Sequence, residues 1–263
     1  MGNQTELQGQ TALITGASSG LGADFARQLA RHGCNLILVA RRAERLHELR
    51  AEISATQNVA VECYATDLVA PHAPQRLYAQ LQQAGWQVDV LINNAGHGLY
   101  GQTWSLPWEQ LHHMLELDIV VLTHLTRLFV ADMVTRGRGY VLQVASLGAF
   151  QPTPTYAAYA AAKSYVLSFG EALHYELRST GVTCTVLCPG VTRTEFFTVA
   201  GQQLTAYQRM TMMDSATVAR IGIRAMLQGR SSVIAGRLNS LLAGGTRLMP
   251  RQVLAAIAAR LMR

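Results

Sequence analysis

Short, nearly continuous apolar runs alternate along the chain with longer segments whose apolar residues recur at helical spacing. The runs cover 11–15, 35–40, 59–65, 88–92, 139–145, 182–188 and 231–235. Runs this short and this uniformly apolar suit strands covered on both faces, and the segments between them are long enough to be crossover helices. The pattern predicts an α/β chain: one Rossmann-type, doubly wound, mostly parallel seven-stranded sheet flanked by helices. Segment 191–214 breaks the rhythm with Phe196, Phe197, Tyr207, Met210, Met212 and Met213. It reads equally as a substrate lid beyond the sixth strand or as an ordinary helical connection packed on the core.

At 263 residues the chain can bury a large core, and no fixed-period repeat or Pro/Gly linker divides it. The expectation is one domain over 1–236, including loop 191–214, followed by an extension over 237–263. With 49% hydrophobic and 14% charged residues, the composition excludes an unfolded, highly charged chain. The net charge of +6 is unevenly placed: after Asp214 there are eight arginines and no acid, so the remainder carries −2. That tail reads as two short helical stretches around Gly244-Gly245 and Pro250, basic and amphipathic. Docking on its own or a neighbouring subunit is favoured over an anionic membrane surface or a mobile lid, and nucleic acid is set aside for want of a recognition motif.

Cys34, Cys63, Cys184 and Cys188 lie in strand-like runs without metal-site spacing, which predicts buried, reduced thiols in a cytoplasmic protein. No charged-then-apolar leader opens the sequence, and Gly2 lacks the Ser or Thr of a myristoylation motif, since Glu6 stands there. Adjacent His112 and His113 lack carboxylate partners at ligand spacing, so no metal is expected. His97, just after the Asn93–Gly96 loop, reads either as lining a substrate mouth or, more commonly for its type, as a solvated loop residue.

Chemistry enters with Thr15-Gly16-Ala17-Ser18-Ser19-Gly20-Leu21-Gly22, which follows the first strand and opens a helix. Glycines there let the backbone turn sharply and approach a pyrophosphate, and the helix start offers free amides. Further on come Asn93-Asn94-Ala95-Gly96 after the fourth strand, Ser146 after the fifth, Tyr159-Ala160-Ala161-Ala162-Lys163, and Pro189-Gly190 after the sixth. Tyr159 and Lys163, four apart, share a helix face, and an ammonium beside a phenol favours phenolate. Of 22 basic residues, 21 are Arg and only Lys163 is Lys.

In order and placement these motifs resemble the short-chain dehydrogenase/reductase family over about 8–236. The resemblance implies an oxidoreductase of the alcohol dehydrogenase type. Its cofactor would contact Gly16, Ser18, Ser19, Gly20, Leu21 and Gly22, with Asp67 and Leu68 at the adenine and Asn94, Ala95 and Gly96 along the ribose wall. It further implies that Tyr159 is the general acid/base, that Lys163 lowers its pKa and holds the ribose, and that Ser146 hydrogen-bonds the substrate oxygen. Pro189, Gly190, Val191, Thr192 and Thr194 would meet the nicotinamide and phosphates, with Arg193 facing solvent.

At the end of the second strand, where an acid would select NAD, stands Ala40, followed by Arg41, whose fork suits a 2′-phosphate. NADP(H) is the cofactor expected, and Arg42 is read as solvating the next helix. One departure stands out: Asp118 occupies the place of an Asn that supports a water chain to the lysine in the family. The function expected is NADP(H)-dependent interconversion of a small, fairly apolar carbonyl and its alcohol, in a homodimer or homotetramer. A non-catalytic NADP-binding sensor impaired by Asp118, or a membrane-associated lipid oxidoreductase, remain alternatives.

Overall fold

The computed structural model describes residues 7–262, so the opening residues with Gly2, and Arg263, lie outside them. Six strands follow the apolar runs: β1 Thr11–Thr15, β2 Asn35–Ala40, β3 Val61–Ala65, β4 Val90–Asn93, β5 Gly139–Val144 and β6 Val182–Cys188. β7 Thr192–Arg193 and β8 Met213–Asp214 pair only with each other, and β9 Ser232–Ile234 completes the main sheet. That sheet is wholly parallel, in the order β3-β2-β1-β4-β5-β6-β9. The order reverses between β1 and β4, which opens a crevice at their carboxyl ends, where open α/β sheets place ligands.

Alternate side chains of each strand go to opposite layers. Ile14, Leu36 and Leu38 pack with Phe25 and Leu29 of α1 (Gly20–Arg31), Leu46 and Leu49 of α2 (Ala43–Ser54) and Ile223. Leu13, Ile37 and Val39 face the other way, onto Leu77 and Leu81 of α3 (Ala73–Gln83). A long rod then runs through α4 (Trp108–Leu115), a π-helical turn at Glu116–Val121, and α5 (Leu122–Arg136). Such turns shift side chains off the ordinary helical register and recur at functional sites; this one carries Asp118.

Helix α6 (Ala157–Glu176) brings Tyr159 and Lys163 beneath the ends of β4 and β5. Segment 191–214 folds into β7, the short helices α7 (Phe196–Ala200) and α8 (Ala206–Thr211), and β8. After α9 (Ser215–Leu227) and β9, the basic tail forms α10 (Arg237–Gly245) and α11 (Arg251–Leu261), with Pro250 at the cap of the second. Cys34, Cys184 and Cys188 are buried and their thiols pushed up to about 12 by that burial. Cys63, expected to be buried, is only half so, because β3 is the sheet's edge strand.

Candidate active site

A cavity of about 830 Å³ opens at the carboxyl ends of the strands. Of the residues assigned from the sequence to cofactor or chemistry, all line it except Gly22 and Asp118. Gly22 instead packs under the loop, where a Cβ would collide with the Gly16 carbonyl. Asp118 is fully buried behind the cavity wall.

The loop after β1 has Gly16 at φ +68° and Gly20 at φ +52°, a region L side chains rarely adopt. A methyl at Gly20 would also lie 2.8 Å from Thr194 Cγ2. Ser19 caps α1 without a side-chain hydrogen bond, so the first amides of that helix remain available to an anion. The loop is braced from β4: Thr15 Oγ1 accepts from the amides of Asn94 and Ala95, each at 3.0 Å. Asn94 Nδ2 donates to the Thr15 carbonyl at 2.9 Å. Left-handed glycines, open helix amides and a fixed floor together fit the diphosphate of a dinucleotide.

The residues expected to carry chemistry meet at the cavity floor. Tyr159 packs edge-on against Tyr156 and tilted against Phe196, with ring centroids at 5.9 and 5.3 Å, and Ser146 is placed to hydrogen-bond its phenol. Lys163 Nζ lies 5.6 Å from the Tyr159 ring centroid and donates to the Val144 carbonyl at 3.2 Å. The same ammonium is 3.1 Å from Asp118 Oδ2, while Asp118 Oδ1 accepts from the His97 amide at 3.2 Å. The expected lowering of the Tyr159 pKa is not what the protein alone produces. Burial raises it above the ordinary phenol value, the Asp118 charge raises it further, and the Ser146 hydrogen bond opposes them.

His97 lines the cavity rather than standing in solvent; burial lowers its pKa against the pull of Asp118. Its ring lies 5.3 Å from that of His113, which shares the wall. Among the described residues, no group of three or more His, Cys, Asp or Glu is placed to hold a metal ion.

At the other end, Arg41 is exposed on the wall beyond β2. Arg42 does more than solvate α2. Its Nη2 donates to Ser19 Oγ at 2.8 Å and Ser18 Oγ at 3.1 Å, and pairs with Glu195 at 2.9 Å. That guanidinium ties the glycine loop to α7. Arg193 points to solvent, as expected.

Segment 191–214 and the tail build the outer wall. Phe196, Phe197, Val199, Tyr207, Leu261 and Met262 all line it. A buried polar clasp holds the two together: Tyr156 Oη donates to Gln202 Oε1 at 2.8 Å, and Gln202 Nε2 donates to the Met262 carbonyl at 3.1 Å. Gln208 Nε2 also donates to Gln202 Oε1, at 3.2 Å.

The family model of short chain dehydrogenases matches residues 10–205. The chain belongs to the short-chain dehydrogenase family. An uncharacterised oxidoreductase of Myxococcus xanthus is 34% identical over 190 residues, 72% of this chain and 75% of that one. Mouse 17-beta-hydroxysteroid dehydrogenase type 3 is 30% identical over 183 residues, 69% of this chain but only 59% of that enzyme. Among solved structures, a short-chain dehydrogenase from Sphingobium yanoikuyae in complex with NADPH superposes with a TM-score of 0.81 at 30% identity. That match covers 91% of this chain and 95% of the other.

Four parts of this short-chain dehydrogenase's site were missed in the sequence: Arg42, Gln202, Gln208 and the Met262 carbonyl. Arg42, Gln202 and Gln208 carry no motif and become meaningful only when loops distant in sequence meet. Gln202 did have a signal: a polar pair, Gln202-Gln203, inside an apolar insertion. The Met262 carbonyl had none, because any residue supplies one.

Proposed function

We propose that this short-chain dehydrogenase is an NADP(H)-dependent carbonyl reductase and alcohol dehydrogenase acting on a fairly apolar ketone, aldehyde or secondary alcohol. The observation that carries the reading is that Tyr159, Ser146 and Lys163 share the floor of one cavity. A diphosphate-fitting loop flanks that floor on one side and an apolar wall on the other.

NADPH, when bound, supplies hydride to the substrate carbon. Tyr159 gives its proton to the substrate oxygen, and Ser146 donates a hydrogen bond where negative charge develops. Lys163 would hold the ribose hydroxyls and feed positive potential toward the phenol. Arg41 would receive the 2′-phosphate, with Arg42 keeping the glycine loop in place. NADP(H) is supported by these arginines, by the absence of an acid at Ala40, and by the NADPH bound in the Sphingobium relative. The steroid named for the mouse relative is apolar, like the wall of Phe196, Phe197, Leu261 and Met262.

A second reading follows from Asp118. A carboxylate 3.1 Å from the catalytic ammonium absorbs part of its field, as expected of a cofactor-binding protein with weak turnover. NADPH oxidation against ketones graded in size separates the two. Turnover on apolar ketones supports the reductase, whereas tight NADPH binding without turnover on any of them supports the sensor.

A further inference from the structure

Helices α10 and α11 are sided in an unusual way. Their inner faces bury Asn239 and Ala243, then Leu254 and Ala258. Asn239 Nδ2 donates to the Ala235 carbonyl at 2.6 Å and packs against Gly190. Docking on the chain's own body uses Leu254 and otherwise small and polar residues of these helices. Most of the larger apolar side chains are exposed: Leu238, Leu241 and Leu242 on α10, Leu248 and Met249 in the connecting turn, Val253 and Ile257 on α11. Leu241 is 73% exposed and Leu248 88%. Arg237, Arg247, Arg251 and Arg260 are exposed among them, and no acid follows Asp214.

We propose that this face docks on an anionic lipid surface, with the leucines entering the headgroup–acyl boundary and the arginines meeting lipid phosphates. Exposed apolar side chains gathered on two successive helices and their connecting turn mark an interaction site, and the arginines determine its sign. A second copy docked isologously would bring the same acid-free arginines against each other. An acidic protein would satisfy the arginines but rarely offers a continuous aliphatic surface, whereas an anionic bilayer supplies both. No helix among the described residues is long and apolar enough to cross a membrane, so the contact is at the surface.

The placement has a consequence. Leu261 and Met262, at the end of α11, line the cavity wall. The end of α11 thus joins the docking helices to the cavity wall. The docking itself does not depend on the reductase reading.

The test is sedimentation of the full chain with vesicles of phosphatidylcholine alone and of phosphatidylcholine mixed with phosphatidylglycerol. Binding should require the anionic lipid and fall as salt rises. Leu241→Asp/Leu248→Asp and Arg247→Glu/Arg251→Glu should each weaken it at least about tenfold, since each basic residue near an anionic surface contributes measurably. Their melting temperatures should match the wild type, because all four residues are exposed. Equal binding to neutral vesicles, or undiminished binding by both variants, overturns the proposal. So does light scattering in which Leu241→Asp/Leu248→Asp splits an oligomer, for the face would then lie between copies.

Discussion

The Asp118 carboxylate stands 3.1 Å from the Lys163 ammonium, in a pocket where Asp118 is wholly buried and Lys163 nearly so. A π-helical turn sets Asp118 there, and Gly96 makes room for it. The pair links the lone lysine of the chain to an acid that the resemblance would have as an amide, and the Asp118 charge raises the Tyr159 pKa.

Replacing Asp118 by Asn removes the negative charge that helps hold the Tyr159 pKa above the ordinary phenol value. In the proposed reaction the phenol is protonated to reduce a carbonyl and ionised to oxidise an alcohol. In the Asp118→Asn protein the alkaline fall of the reduction rate should therefore begin at lower pH, and the alkaline rise of the oxidation rate should also begin earlier. Profiles of kcat/KM against pH in both directions check this; coincident profiles would show that Asp118 does not act on Tyr159.

Gly96 lies against the pair: a Cβ there would be 2.7 Å from Asp118 Oδ1 and 3.1 Å from Lys163 Nζ. Gly96→Ala should cost about 1–3 kcal/mol of stability, as overpacked interiors do, and lower kcat by displacing Lys163. Denaturant titration measures the first. In an Asp118→Ala background the added methyl should cost less, and strict additivity would place the strain elsewhere.

At the adenosine end, Arg41→Ala should lower kcat/KM for NADPH by about tenfold or more, given that a hydrogen bond to a charged group contributes about 1.5–3 kcal/mol. NADH should be little affected. Arg42→Ala should weaken both cofactors, because Arg42 holds Ser18 and Ser19 of the loop they share. Steady-state kinetics with each cofactor distinguishes a phosphate contact from a loop brace.

The fold was legible because its signal is distributed: seven apolar runs set a parallel sheet, and the glycine loop, Tyr159 and Lys163 follow motif spacing. Strand ends shifted by one or two residues. Val88 and Asp89, for example, stay outside β4, where the Asp89 carboxylate accepts from the Thr11 amide at 3.2 Å. The protonation of Tyr159 was not legible, since it depends on burial and on a carboxylate 41 positions away in sequence. Nor was the clasp at Gln202, which joins α6, the insertion and the tail through ordinary polar groups.

That clasp should govern substrate size. Gln202→Leu leaves the Tyr156 hydroxyl and the Met262 carbonyl without their partner, at a cost of about 1–3 kcal/mol for a buried unsatisfied group. The outer wall should loosen, changing KM for bulky ketones more than for small ones while NADPH affinity holds. A uniform change across ketone sizes would remove the clasp from the substrate wall.

The most direct measurement is NADPH oxidation on an apolar ketone by wild type, Tyr159→Phe and Lys163→Arg, with NADPH binding followed by fluorescence. Tyr159→Phe should bind NADPH like the wild type yet lose at least about a hundredfold in kcat, as expected when a positioned general acid is removed. Lys163→Arg should keep the charge but lose most activity, because a planar fork does not replace a compact ammonium between Asp118 and Val144. Near-wild-type turnover by a Tyr159→Phe protein that still binds NADPH would contradict the account.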